Sequence, residues 1–357
     1  MTGPAPAVDP LRRLTPIVRL APAKVNLTLA VLGTRPDGFH DLHSVFAPLG
    51  FADRLSLALA PTANADTLHV DGDIPGDPAA NLVLRGIAAA RTAVGGGWAG
   101  GPSPAPSIAA RLDKHIPIGA GLGGGSSDGA AAVLGALEAW GAELDDDGRR
   151  RALAMVGSDV PFFAAEGPAL VEGRGERVTP LRGLRGAPGV LLVTPAVHVG
   201  TPEVYAVFDG TRGTGDGSIR MTSAHLAEEL RTGLSPADLV ARAGVLASAN
   251  DLLPAAILVE PGLVPVRRAL MRLLGRPVGL SGSGPTLWTL YPSEAEAITA
   301  GDTLRDALAA GDLPILGDGP PAIVATHIRS GPDPRPAPSD PTQPPAPPQR
   351  STQEGTP

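Results

Sequence analysis

Lys114-His-Ile-Pro-Ile-Gly-Ala-Gly-Leu-Gly-Gly-Gly-Ser-Ser-Asp128 runs directly into the alanine-rich helical pattern of Gly129 to Trp140. Glycines at this density let backbone N–H groups converge on one anion, and the following helix adds unpaired N–H groups and the positive end of its dipole. Ser126, Ser127 and Asp128 are natural helix caps, and the spacing predicts a helix from Asp128 to Trp140. Either serine hydroxyl can also reach a phosphate or a Mg²⁺ ion. Asp128 is expected to point away from a bound anion. The segment is not a Walker A loop, because no Gly-Lys-Ser/Thr follows the glycines. Gly119-x-Gly121-x-x-Gly124 also fits the dinucleotide fingerprint, but Arg111, Asp113, Lys114 and His115 spoil the apolar strand that should precede it. A glycine loop that only makes a tight turn is the plain alternative.

Composition sharpens the choice of chemistry. Of 29 basic residues only Lys24 and Lys114 are lysine, and an arginine cannot replace a compact ammonium in a tight site. Lys24 and Asn26 lie two apart in the strand pattern of Ala21-Pro-Ala-Lys-Val-Asn-Leu-Thr28, so both belong to one face. A solvated strand face is the ordinary reading of such a pair. Asp159, in Gly157-Ser-Asp-Val-Pro-Phe-Phe163, is a carboxylate between apolar neighbours, which suits a general base; a helix cap ahead of Pro161 is the local alternative. Leu280-Ser-Gly-Ser-Gly-Pro285 either closes over phosphates or turns a hairpin. His40 and His43, three apart with no carboxylate pair nearby, make a poor metal site.

With 357 residues, 43% hydrophobic and 18% charged, the chain accommodates two globular domains. A net charge of −7 without a basic cluster argues against a nucleic-acid partner. No cysteine is present, which removes disulfides and thiolate chemistry. The apolar run Pro16 to Gly33 is broken by Arg19, Lys24 and Asn26, so it fails both as a membrane span and as a signal-peptide core, and the expected location is cytoplasmic.

Residues 1–15 and the Pro-rich tail 331–357 are expected to be disordered, flanking an N-terminal domain 16–185 and a C-terminal domain 186–330. Gly95 to Ser107 reads as a long surface loop, and Asp209 to Gly217 as an exposed flexible insertion. Strands are expected at Ile17–Leu20, Val25–Leu32, Ala52–Ala58, Ile108–Leu112, Gly189–Thr194, Val278–Leu280 and Thr286–Tyr291. Helices are expected at Leu82–Val94, Gly148–Val156, Pro202–Phe208, Ser223–Arg231 and Leu263–Leu274. The class is α+β.

Taken in this order, the segments around Lys24, the glycine loop, Asp159 and Leu280-Ser-Gly-Ser-Gly-Pro285 resemble the GHMP kinase family, named for galactokinase, homoserine kinase, mevalonate kinase and phosphomevalonate kinase. Arg35-Pro-Asp-Gly-Phe-His40, Asn81-Leu-Val-Leu-Arg85 and Thr201-Pro-Glu-Val-Tyr205 narrow the resemblance to a branch of the isoprenoid non-mevalonate pathway. The acceptor there is cytidyl-diphospho-methylerythritol, phosphorylated on its 2-hydroxyl. The resemblance implies a two-domain fold, an ATP-binding α+β domain followed by a ferredoxin-like one, with ATP and Mg²⁺ as cofactors and a monomer or homodimer as the working form. It implies Asp159 as base with Lys24 beside it. It places Asn81, Leu82 and Val83 near the adenine, Lys114 near the nucleotide, and Pro117, Gly119, Ala120, Gly121, Leu122, Gly123, Gly124, Gly125, Ser126 and Ser127 around the phosphates. Asn26, Phe39, His40, Thr201 and Tyr205 fall to the acceptor. No metal ligand is assigned. Phe39 stands where the family usually has tyrosine, and Asp128 where asparagine is commoner. The rival readings are a homoserine- or mevalonate-type kinase and a catalytically silent regulator of the same fold.

Overall fold

The computed structural model describes residues 16–71, 80–95, 104–211, 215 and 217–331. The expected disorder of residues 1–15 and of the tail from 332 on, and the middle of the expected 95–107 loop, lie outside the described residues.

Two long antiparallel strands, β1 (Ile17–Thr34) and β2 (His40–Leu59), organise the first half. The two strands expected at Ile17–Leu20 and Val25–Leu32 are therefore one. Pro22, which cannot donate to the ladder, falls at a register shift instead of a strand end. β2 is far longer than the expected Ala52–Ala58, because Leu42 to Leu49 is buried without interruption and so carries no alternating pattern to read. β3 (Thr67–Asp71), β4 (Ile108–Asp113), β5 (Ala169–Gly173) and β6 (Arg177–Pro180) complete a sheet in the order β3-β4-β2-β5-β6, with β1 paired to β2.

Helices α1 (Leu82–Val94), α2 (Gly124–Trp140) and α3 (Asp146–Val156) bury Ile87, Val133, Trp140 and Leu153 with Leu55, Leu57 and Leu112 of this sheet. Each fully buried Leu, Ile or Val stabilises by about 1.5–3 kcal/mol. α2 begins at Gly124, a turn earlier than the expected Asp128, so the two serines lie within its first turn and the cap position is Gly123. Ala105, inside the expected surface loop, is buried, and the Pro106 carbonyl accepts the Trp140 indole N–H at 3.0 Å.

The second half reads β7 (Gly189–Thr194), α4 (Thr201–Thr211), α5 (Gly217–Thr232), α6 (Pro236–Ala241), α7 (Ala243–Leu246), α8 (Leu253–Val259), α9 (Leu263–Leu274), β8 (Gly279–Leu280), β9 (Leu287–Tyr291), α10 (Glu294–Ala310) and β10 (Ala322–His327). Its antiparallel sheet runs β10-β7-β9-β8. A strand, a helical segment, two strands, a helix and a strand in that chain order, with the strands arranged β10-β7-β9-β8 in the sheet, make the ferredoxin-like arrangement. Asp209 to Thr211, expected in a flexible insertion, are the last turn of α4.

All six residues of β7 are buried because both of its faces are covered. Val190 and Leu192 pack with Val25, Leu27 and Val45 of the first half, whereas Leu191 and Val193 pack with Phe208, Leu270 and Leu304. The two sheets thus share a core, and the cleft described next opens where they meet.

Candidate active site

A cleft of about 1340 Å³ is lined by residues from both halves. The glycine loop forms one wall. Gly119, Gly121 and Gly123 all have positive φ, from 67° to 76°, which bends the chain so that the α2 N-terminus faces the cleft. Gly123 leaves that terminus without a side-chain cap, so its N–H groups are free for an anion.

At Gly121 the loop meets the turn between β8 and β9. Ser281 Oγ donates to the Gly121 carbonyl at 2.8 Å, and a Cβ on Gly121 would stand 2.3 Å from the Ser281 carbonyl oxygen. Of the two readings of the Leu280–Pro285 segment, the hairpin turn between β8 and β9 is observed, and that turn packs on the glycine loop.

Pro117, Gly119, Ala120, Gly121, Gly123, Gly124, Gly125 and Ser126 line the cleft, while Leu122 and Ser127 turn into the protein. The Leu122 carbonyl accepts from the Lys24 backbone N–H at 2.9 Å. Ser127 Oγ is buried without a hydrogen-bond partner, as is Oδ1 of Asp128. Asn81 and Leu82 reach the cleft, but Val83 is a core residue. The Asn81 carboxamide oxygen caps α1 by accepting from Val83 N at 2.9 Å. Leu68 and Val70 of β3 add an apolar wall that the sequence did not announce.

Lys114 is held by two acids. Its ammonium donates to Asp53, which is fully buried and also accepts from the His115 and Ile116 N–H groups, and to Asp128 at 2.8 Å. One cation cannot satisfy two buried carboxylates. Burial, with Asp53 nearby, pushes Asp128 up to about 7 despite the pull of Lys114. Asp128 was expected to point away from a bound anion, but it lines the same cleft as the glycine loop, paired there with Lys114.

Lys24, 4% exposed, lines the cleft directly against the glycine loop. Its Nζ donates to Asn26 Oδ1 at 2.6 Å and to the Gly121 carbonyl at 3.0 Å, and sits 4.8 Å from the centre of the Phe46 ring. Asn26 Nδ2 donates in turn to Ser44 Oγ, at 3.0 Å, and Ser44 to the Thr28 carbonyl. Period two does bring Lys24 and Asn26 to one face, and the face is buried, not solvated.

Asp159 stands half-buried on the same cleft. The 3₁₀ turn Val160–Ala164 follows it, but the Asp159 side chain makes no cap bond, so capping does not account for it. Gly175 leaves the room its carboxylate occupies: a Cβ there would lie 2.9 Å from Oδ1. Burial pushes the Asp159 carboxyl up, partly offset by Lys24, and the same low dielectric pushes the Lys24 ammonium down, partly offset by Asp159.

At the far end His40 and Tyr205 stack, ring centres 4.5 Å apart at 28°. Phe39, half-exposed, lies under the Arg174 guanidinium at 5.2 Å, and Thr201 shares a 2.9 Å hydrogen bond with Ser283. Gly282 and Ser283, from the Leu280–Pro285 segment singled out in the sequence, line the cleft too, as do Arg174 and Asp209, which were not foreseen. His43 bonds Ser223 Oγ at 2.9 Å, away from His40, and the described residues contain no group of three or more His, Asp or Glu that could hold a metal.

Residues 81–167 match the family described as GHMP kinases N terminal domain. The 4-diphosphocytidyl-2-C-methyl-D-erythritol kinase of Rhodopseudomonas palustris is 37% identical over 287 residues, 80% of this chain and 91% of the relative. Its counterpart in Nocardia farcinica is 36% identical, covering 82% and 91%. The crystal structure of a 4-(cytidine 5'-diphospho)-2C-methyl-D-erythritol kinase superposes with a TM-score of 0.63 at 30% identity, covering 87% of this chain and 99% of the other. Homoserine kinase from Cytophaga hutchinsonii has the same TM-score at 19% identity, covering 88% and 96%, which is a likeness of fold alone.

Proposed function

This chain belongs to the GHMP kinase family and, within it, to the 4-diphosphocytidyl-2-C-methyl-D-erythritol kinases, and from that premise we propose how its cleft performs the transfer. The enzyme passes the γ-phosphoryl group of ATP to the 2-hydroxyl of 4-diphosphocytidyl-2-C-methyl-D-erythritol. One O–P bond forms at that hydroxyl, the bond to the β-phosphate oxygen breaks, and ADP leaves.

The carrying observation is that Lys24 and Asp159 face one cleft walled by the glycine loop, each shifted by burial and each feeling the other's charge. Asp159 accepts the hydroxyl proton; its raised pKa makes it a stronger base than an exposed aspartate. Lys24, tethered by Asn26 and the Gly121 carbonyl, keeps Asp159 ionised and offsets charge on the transferring group. Such positioning and neutralisation are most of what phosphoryl transfer requires.

The phosphates rest on the N–H groups of Gly119 to Ser126 and the α2 N-terminus, with the adenine toward Asn81, Leu82, Leu68 and Val70. The cradle of positive-φ glycines and the uncapped helix end fit that triphosphate. For Mg²⁺ the protein's own donor set is thin: Ser126 is the loop hydroxyl that lines the cleft, whereas Ser127 turns into the protein, so Ser126 would hold the ion together with the nucleotide. When bound, the ion offsets phosphate charge.

The cytidine lies between Phe39 and Tyr205 against His40, with Asn26 and Thr201 toward the rest of the acceptor. Every group named here comes from one chain, so a monomer holds a whole site and a homodimer two. No helix among the described residues is long and apolar enough to cross a membrane, in keeping with a cytoplasmic enzyme.

The test offers purified protein ATP, Mg²⁺ and, separately, the cytidyl acceptor, homoserine and mevalonate. Transfer to the first alone is expected, and transfer only to another acceptor refutes the assignment. Asp159→Ala is expected to lower kcat by about 10²–10⁴-fold with ATP affinity retained; an unchanged rate removes Asp159 as the base.

A further inference from the structure

Asp209 has no part in the transfer itself, yet it faces the acceptor end of the cleft. Thr201, Tyr205 and Asp209 follow one another at intervals of four along α4, so they form one stripe, and all three line the cleft. His40, the first residue of β2, stacks on Tyr205 and meets the edge of Phe208 with ring centres 6.3 Å apart. Its Nε2 lies 2.8 Å from Asp209 Oδ1.

A carboxylate accepts hydrogen bonds and does not donate, so this contact puts the hydrogen on Nε2. In the neutral imidazole Nδ1 then carries a lone pair. Among the described residues Nδ1 has no hydrogen-bond partner. The Asp209 side chain is 42% exposed, where an ion pair adds only about 0–1 kcal/mol of stability. An interaction of that size biases the ring between its two tautomers by up to about fivefold.

We propose that Asp209 is a positioning residue that fixes His40 as its Nε2–H tautomer, so that Nδ1 accepts from the exocyclic amino group of cytosine and the site rejects a base bearing an oxo group there. This rests on the placement of the cytidine between Phe39, His40 and Tyr205. A uracil would set its carbonyl lone pair against that of Nδ1, leaving a polar atom unpaired in a largely enclosed contact.

Two measurements test it. The first compares cytidyl and uridyl forms of the diphospho-methylerythritol acceptor with the wild-type enzyme, Asp209→Asn and Asp209→Ala. The variants are expected to raise the KM of the cytidyl acceptor and narrow the preference over the uridyl one, each by up to about fivefold, with kcat and the KM of ATP unchanged. An unchanged preference in both variants overturns the proposal.

The second records the ¹⁵N spectrum of His40 at the assay pH without acceptor, assigned by its loss in His40→Gln. A protonated Nε2 beside an unprotonated Nδ1 is expected, with the Nε2–H population measurably lower in Asp209→Ala; an unchanged population in that variant overturns the proposal. An Nδ1–H tautomer or an imidazolium in the wild type overturns the proposal. A wild-type enzyme that phosphorylates neither acceptor refutes the placement of the cytidine instead, and the spectrum still decides the tautomer.

Discussion

Along the nucleotide end of the cleft the wall is backbone: three positive-φ glycines, an uncapped helix terminus, and a second glycine turn pressed against the first. At the acceptor end the wall is side chain, with stacked His40 and Tyr205, the Phe39 ring, and the Thr201 hydroxyl. The ends should therefore fail in opposite ways. Adding atoms damages the first, where peptide groups are already in contact, and removing atoms damages the second. Lys24 and Asp159 stand between them and answer to neither rule, because their work depends on charge.

That middle ground should give the largest effect. Lys24→Met is expected to lower kcat by about 10²–10³-fold, as loss of one preorganised charge stabiliser does. Burial moves both groups toward neutrality, Asp159 upward and Lys24 downward. The wild-type kcat/KM should follow a bell whose acid limb lies above the ordinary carboxylate range and whose alkaline limb lies below that of an ordinary lysine. The variant should lose the alkaline limb; a full bell in Lys24→Met would assign that limb elsewhere.

Next comes the backbone end. Gly121→Ala puts a methyl 2.3 Å from a carbonyl oxygen at φ +76°, and should destabilise by at least about 2 kcal/mol in urea unfolding. Gly282→Ala, at φ +59° but with every neighbour beyond 3.4 Å, should cost only about 1 kcal/mol. Equal losses would mean that contact with the facing peptide does not matter.

At the side-chain end Tyr205→Ala should raise the acceptor KM by a factor equivalent to about 1–3 kcal/mol of lost base stacking, with ATP affinity and folding little changed. A matching rise in the KM of ATP would erase the division between the ends.

The last effect, confined to a pH window, belongs to Asp128. With its folded pKa near 7 and an ordinary value near 3.8 when unfolded, the native state holds a proton that the unfolded chain releases, so stability falls as pH rises through that window. Asp128→Asn cannot titrate, and its urea midpoint should change less than the wild type's between pH 5 and 8. Parallel slopes would place the proton on another group.

Much of this division was legible in the sequence. The glycine run, the Lys24–Asn26 spacing and Asp159 announce themselves by residue type, and Leu263–Leu274 has helical periodicity with glycine at both caps. What escaped depends on contacts distant in sequence. Ser44 bonds Asn26 only because β1 and β2 pair in one register. Asp53 and Lys114 meet only because β2 and β4 are neighbours. Asp209 was hidden by the Asp-Gly that follows Phe208, although counting fours from Thr201 would have found it. α10 was missed despite Ser293 at its cap and Glu294 and Glu296 in its first turn, signals that count as firmly as periodicity.

The seam where Ser281 reaches the Gly121 carbonyl, and Thr286 N–H the Ala120 carbonyl at 3.3 Å, joins chain segments about 160 residues apart at the loop proposed to hold the phosphates. Occupancy and folding are therefore thermodynamically linked across the whole molecule. Neither half can open without taking apart the nucleotide cradle, so bound ATP raises the free energy of unfolding of both halves by the same RT ln(1 + [ATP]/Kd), and the two should melt as one cooperative unit.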